Sequence, residues 1–174
     1  MIKNQGNRRN LNKIKVQTII INKKTKIMEK KKTKKYKQII IPEVYTNKWK
    51  TLSVYESRQK IFDYYCKHYK GKKYVINQHL GICVEFNQRG ARKSSFGTSI
   101  YPKKKCLVEI LDKMIRYAKY SNWGERKTTD PTDVIGYLNF NVKVKIDKKT
   151  EFIHLVIQVT NGGRFHYVQE INRW

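Results

Sequence analysis

The chain has 174 residues, with 39 Lys and Arg against 13 Asp and Glu, a formal net charge of +26. So basic a chain repels itself and calls for a polyanionic partner, either nucleic acid or an anionic membrane surface. Its 39% apolar and 12% aromatic residues are enough to build a core, which excludes disorder throughout.

No apolar run approaches the ~20 residues needed to span a bilayer, so nucleic acid is the expected partner and a membrane is not. Met1–Asn10 is basic but is not followed by an apolar core of signal-peptide length, and export is not expected. Cys66, Cys83 and Cys106 are far apart. Without a CxxC pair, a zinc ribbon or thioredoxin motif is excluded, and scattered thiols fit a reducing cytoplasm.

In chain order, residues 1–38 hold 14 Lys and Arg against one acid, Glu29, while residues 39–174 hold 25 against 12. The first fifth thus carries half the net charge. The run Lys30-Lys31-Lys32-Thr33-Lys34-Lys35 reads as part of a basic disordered arm over 1–38 that contacts phosphates, ahead of one domain over 39–174. A start at Met28 is an alternative that would leave out residues 1–27. Ser53 and Glu56 have capping-box spacing and open a helix with Ile61, Tyr64 and Tyr65 on its apolar side, closed by Gly71. Strands are expected near Lys73–Asn77 and Ile82–Phe86 with a turn between them. Gln88–Thr98 reads as a basic loop rich in small residues. Pro102 precedes the clearest helix, where Leu107, Ile110, Leu111, Met114, Ile115 and Ala118 form one stripe. Ser121–Asp133 reads as a polar loop.

The remaining segment alternates as a three-strand antiparallel meander. A turn at Lys148-Lys149 pairs Val144 with Ile153, and a turn at Asn161-Gly162-Gly163 pairs Val159 with Phe165; both keep the apolar set on one face. The predicted fold is α+β, with helices packed on one face of an antiparallel sheet that ends in the meander.

The other face then aligns Lys143, His154 and Glu170 in one row and Asn139, Gln158 and His166 in the next, with Thr160 and Arg164 at one end. These are groups a metal-independent ribonuclease uses: a base for the 2′-OH proton, an acid for the leaving oxygen and a cation for the phosphorane. His154, Glu170 and Lys143 are the candidate catalytic residues. Nucleic-acid-binding candidates are Lys30, Lys31, Lys32, Lys34 and Lys35 of the arm, Arg92 and Lys93, and Asn139, Gln158, Arg164 and His166. There is no HExxH, no GxxxxGK[ST], no carboxylate cluster and no GxSxG, so metal-dependent hydrolysis, nucleotide hydrolysis and serine hydrolase chemistry lack support, and no metal or other cofactor is expected.

Residues from about 54 to 172 resemble the third family of large polyvalent protein-associated domains. The resemblance rests on Gly71-Lys72-Lys73-Tyr74-Val75, Asn77 and Gly81, Ile82 to Phe86, Gly90 with Arg92-Lys93-Ser94, the helix with Leu107, Leu111 and Ala118, and the meander ending in Tyr167. It implies a phage or mobile-element origin. It also implies a barnase, EndoU, colicin and RelE-like fold, with helices on one face of an antiparallel sheet and RNA on the other. Lys93 matches the family's basic position after the first hairpin, which makes it a binding candidate. The expected function is nucleic-acid binding, RNA before DNA, with metal-independent RNA cleavage as its enzymatic form. Two alternatives stay open: an inhibitor that binds a host nucleic-acid-handling defence complex, and a ribosome-associated basic protein.

Overall fold

The computed structural model describes residues 18, 43–71, 74–98 and 102–171, with the side chains of 97, 98, 102 and 169–171 outside the description. The expected arm, including Lys30, Lys31, Lys32, Lys34 and Lys35, therefore lies outside the described residues apart from position 18. The fold is α+β, with helices and a six-stranded sheet.

A short helix α1 (Asn47–Lys50) leads into α2 (Val54–His68). The capping box forms as expected: the Ser53 hydroxyl accepts from the Glu56 N–H, and the Glu56 carboxylate accepts from the Ser53 N–H. Gly71 takes the left-handed conformation (φ 62°) that ends this segment. Strands β1 (Tyr74–Ile76) and β2 (Cys83–Glu85) follow, joined by a turn that Asn77 organises. Its carboxamide oxygen accepts from the N–H groups of His79 and Leu80, and its Nδ2 donates to the carbonyls of Ile115 and Ala118. One buried side chain thus fixes the hairpin to the end of a later helix.

Gln88–Thr98 is a helix, α3, where a basic loop was predicted. Its buried side is made of small residues, Ala91, Ser94 and Ser95, which gives no large apolar stripe in the sequence. Small residues let this helix approach closely: a Cβ on Gly90 would fall 2.4 Å from the Tyr65 hydroxyl and 2.6 Å from the Tyr167 carbonyl oxygen. The Asn87 side chain caps its start by accepting from the Gly90 N–H at 2.8 Å.

The stripe helix is a composite: α4 (Pro102–Lys105), a 3₁₀ segment (Cys106–Ile110) and α5 (Leu111–Tyr117). All six stripe residues are buried. Cys106 and Val108 of the 3₁₀ segment are buried as well.

The first part of the predicted polar loop Ser121–Asp133 belongs instead to an edge strand, β3 (Lys119–Glu125). An edge strand that buries little shows weak alternation. Its anchors are Tyr120 against Phe140 and Trp123 against Gly136, where a Cβ would meet the indole at 2.1 Å. Strands β4 (Val134–Ile146), β5 (Lys149–Thr160) and β6 (Phe165–Ile171) complete the sheet, in the order β1-β2-β6-β5-β4-β3. All neighbours are antiparallel except β2 and β6, which run parallel.

The meander exists, with two register corrections. The first turn is Asp147-Lys148, both at positive φ (47° and 66°) as a two-residue hairpin loop requires, rather than Lys148-Lys149. Pairing therefore shifts by two: Val142 faces Ile153 and Phe140 faces Leu155. An even shift keeps every side chain on its predicted face. Asp147 is held from outside the hairpin, accepting from the Thr46 N–H and hydroxyl. The second turn places Val159 opposite Phe165 as expected, but β6 then bulges between Tyr167 and Gln169. Beyond the bulge Glu170 faces Leu155, not His154.

One apolar cluster fills the space between the helices and the sheet, with Trp49, Ile61, Tyr65, Leu111, Met114, Phe140, Leu155 and Tyr167 fully buried. The far face of the sheet is less bare than predicted. Tyr137, Val156 and Val168 alternate with core residues of their strands and form a small second cluster with Val134.

Candidate nucleic-acid interface

The predicted row Lys143–His154–Glu170 does not form. Lys143 faces Phe152, with its ammonium 5.0 Å from the ring centroid; His154 faces Asn141; Glu170 faces Leu155. The His154 ring lies between two amides, Nδ1 3.0 Å from Asn141 Oδ1 and Nε2 3.2 Å from Asn139 Oδ1. Both neighbours are amide oxygens, which accept only, so a neutral ring donates to one of them while the pair brackets the ring, and neither amide supplies or removes a proton at neutral pH.

The second predicted row is kept in part: Gln158 faces His166, while Asn139 faces Val156 and Tyr137 takes its place opposite Gln158. The row extends in a direction the sequence did not show. Because β2 runs parallel beside β6, Glu85 becomes the neighbour of His166. Arg164, at the start of β6, forks onto the Glu85 carboxylate through Nε (3.1 Å) and Nη2. The His166 Nδ1 lies 3.8 Å from Glu85 Oε2. Four strands thus carry one line of chemistry: Glu85, His166, Gln158, Tyr137.

Electrostatics differ along this line. Glu85 is held below the usual carboxylate range, chiefly by the hydrogen bonds from Arg164. His166 is half-buried, and desolvation lowers its pKa from the usual 6.5, outweighing the opposite pull of Glu85. Its ring is therefore neutral at pH 7 beside an ionised carboxylate. Among the described residues, His166 Nδ1 and Gln158 Nε2 are buried with no hydrogen-bond partner. Buried polar atoms without partners are costly and are found where a site needs them for something else. Tyr137 donates its hydroxyl to Asp130, and burial together with that carboxylate pushes the phenol up to about 12. Burial alone would raise Asp130. The bond from Tyr137, the Lys127 N–H and the charges of Lys93 and Arg89 bring it below the usual range instead.

Lys93 and Arg89 stand on α3, and their charges reach the 126–133 loop that carries Asp130. Desolvation first, and Arg89 second, lower the Lys93 pKa. Arg92, on the same helix, is exposed and is not drawn into this group. Two other histidines have structural surroundings: His79 Nδ1 accepts from the Tyr120 N–H at 3.0 Å, and His68 stacks on Tyr64. Among the described residues no group of His, Cys, Asp and Glu could hold a metal ion, and no helix is long and apolar enough to cross a membrane.

Sequence reasoning missed Glu85, Tyr137, Asp130 and Arg89. Glu85 sits 79 residues from Arg164, and only the parallel pairing of two short strands joins them.

The family model for large polyvalent protein-associated domain 3 matches residues 53–167. The chain belongs to this family. The domain 3 match spans α2 to Tyr167 of β6, so Glu85, Lys93, Gln158, Arg164 and His166 all lie inside it. It supports the phage or mobile-element association that the resemblance implied. Comparison with curated proteins and with solved structures gives no match.

Proposed function

We propose that this domain 3 protein binds RNA across the far face of its sheet and cleaves it without a metal at the cluster Glu85–Arg164–His166. The observation that carries the reading is the β2–β6 pairing, which sets an ionised carboxylate, a guanidinium and a neutral imidazole side by side on a protein of net charge +26. Glu85, beside Nδ1, orients the ring and stabilises the imidazolium that forms, and Nε2 is the nitrogen left for substrate. Nε2 takes the 2′-OH proton as the 2′ oxygen attacks phosphorus. The bond to the 5′ oxygen breaks, that oxygen takes a proton from water, and a 2′,3′-cyclic phosphate remains. Arg164 uses two of its five N–H groups on Glu85 and has donors left for the phosphate. Lys93 and Arg89 add positive charge at the other end of the row.

Incubating labelled RNA and DNA with the protein in EDTA tests this. RNA should be cut to products ending in 2′,3′-cyclic phosphate, and DNA, which lacks the attacking hydroxyl, should bind and stay whole. RNA that binds and is never cut would remove the enzyme reading; cleavage abolished by EDTA would remove the mechanism.

A further inference from the structure

The other end of the far face offers a different chemistry. Phe152 is 63% exposed on β5, with the Lys143 ammonium 5.0 Å from its ring centroid. His154 lies two positions along the same strand and therefore on the same face, its ring fixed by Asn139 and Asn141. Lys119 pairs with Asn141, and Lys143 and Lys145 alternate along β4, so three cations surround two flat rings. None of these positions carries a carboxylate. The exposed Phe152 ring lies outside the core and is open to a ligand on its free side.

We propose that Phe152 and His154 form a base-stacking subsite for single-stranded RNA, with Lys119, Lys143 and Lys145 holding the strand's phosphates. Every base has a π-face and stacks on an aromatic ring regardless of sequence, and the cations complement the phosphates between bases. A duplex hides those faces, so the occupant is an unpaired strand. Asn139 and Asn141 stand beside the rings with donors and acceptors for a base edge. Gln158 lies six positions along β5 from Phe152, about 20 Å at strand rise, so one extended strand can lie on the rings and reach Glu85–Arg164–His166. The subsite rests on the reading that this face binds RNA and is independent of whether the cluster cuts it.

The test is equilibrium binding of a fluorescent 2′-O-methyl oligoribonucleotide, which cannot be cleaved, beside an abasic strand of equal length and charge. Phe152→Ala should weaken binding of the base-bearing strand by about 5- to 100-fold and leave the abasic strand nearly unchanged, and Phe152→Trp should restore it. Equal affinity of Phe152→Ala and the parent for the base-bearing strand, or an equal loss on both strands, would overturn the subsite while leaving RNA binding in place. Failure of the parent to bind either strand would overturn the subsite and the RNA reading together. Binding as described without any RNA cleavage would overturn only the catalytic reading.

Discussion

The two ends of the far face use the same strands and differ in what covers them. At the Glu85 end, α3 and the 126–133 loop close in, Gln158 is buried and His166 is half-buried, and both carry polar atoms without partners. At the Phe152 end the strands stand open, the aromatic ring is exposed and His154 is satisfied by amides. Proton transfer needs a group whose pKa is set by burial and a specific neighbour, and His166 beside Glu85 meets that need. Stacking needs an accessible ring among cations, and the second end has that. The cross-strand neighbour decides the difference: His166 has Glu85, and His154 has Asn141.

The largest effect expected at the Glu85 end is on cleavage. Glu85→Gln should slow single-turnover RNA cleavage by about 10²- to 10⁴-fold, the usual range for loss of positioned acid–base work, with RNA affinity held within a few-fold. Unchanged cleavage would take the carboxylate out of the mechanism and blur the distinction between the ends. Removing residues 1–38, which hold 14 Lys and Arg against one acid, should weaken binding to both base-bearing and abasic strands. If the arm makes four phosphate contacts, the log–log salt slope should fall by roughly 3 units; an identical slope would show that the arm is not a binding element.

Stability tests the close packing of α3 at the Glu85 end. Gly90→Ala should cost about 1–3 kcal/mol by thermal or urea melting, because the new methyl meets a backbone carbonyl and α3 must move away from β6. Gly162→Ala, with open space around it, should melt like the parent. Equal melting of the two variants would mean that α3 does not depend on this close approach.

The smallest effect is a titration. The His166 pKa is depressed, so below pH 6.5 the unfolded chain binds its proton more readily than the folded one, and stability falls with pH there. Glu85 acts in the same direction at lower pH: its contribution is present above its usual value of 4.5 and is lost as pH falls through the depressed folded value. NMR titration should place the His166 midpoint below 6.5. Glu85→Gln removes the charge that favours imidazolium and should move it lower still; a midpoint that rises would contradict the assigned surroundings.

Much of this was legible in the residues, and the failures have particular causes. The Leu107–Ala118 stripe announced a buried helix because its six apolar residues recur at helical spacing, and the meander announced its faces by strict alternation. Alternation has period two, so it could not exclude the two-residue shift that replaces Lys148-Lys149 by Asp147-Lys148; the contact from Thr46 to Asp147 crosses 101 residues. The bulge at Val168 carries no turn residue that would mark it, yet it moves Glu170 away from His154. Helix α3 was hidden because its packing side is Gly, Ala and Ser, and β3 because an edge strand buries little. The Lys143–His154–Glu170 row was a product of the shifted register. His166, Gln158, Arg164 and Lys93 were recognised as polar groups of one surface, but their partner Glu85 comes from a pairing that no local pattern encodes.

The claim that chemistry belongs to one end and base stacking to the other is tested most directly by exchanging the two histidines' fates on one RNA. Single-turnover cleavage and equilibrium affinity would be measured for His166→Ala and His154→Ala in EDTA. The account predicts that His166→Ala abolishes cleavage and keeps affinity within a few-fold, whereas His154→Ala weakens affinity and leaves cleavage of saturated RNA nearly intact. Cleavage abolished by His154→Ala and retained by His166→Ala would contradict it.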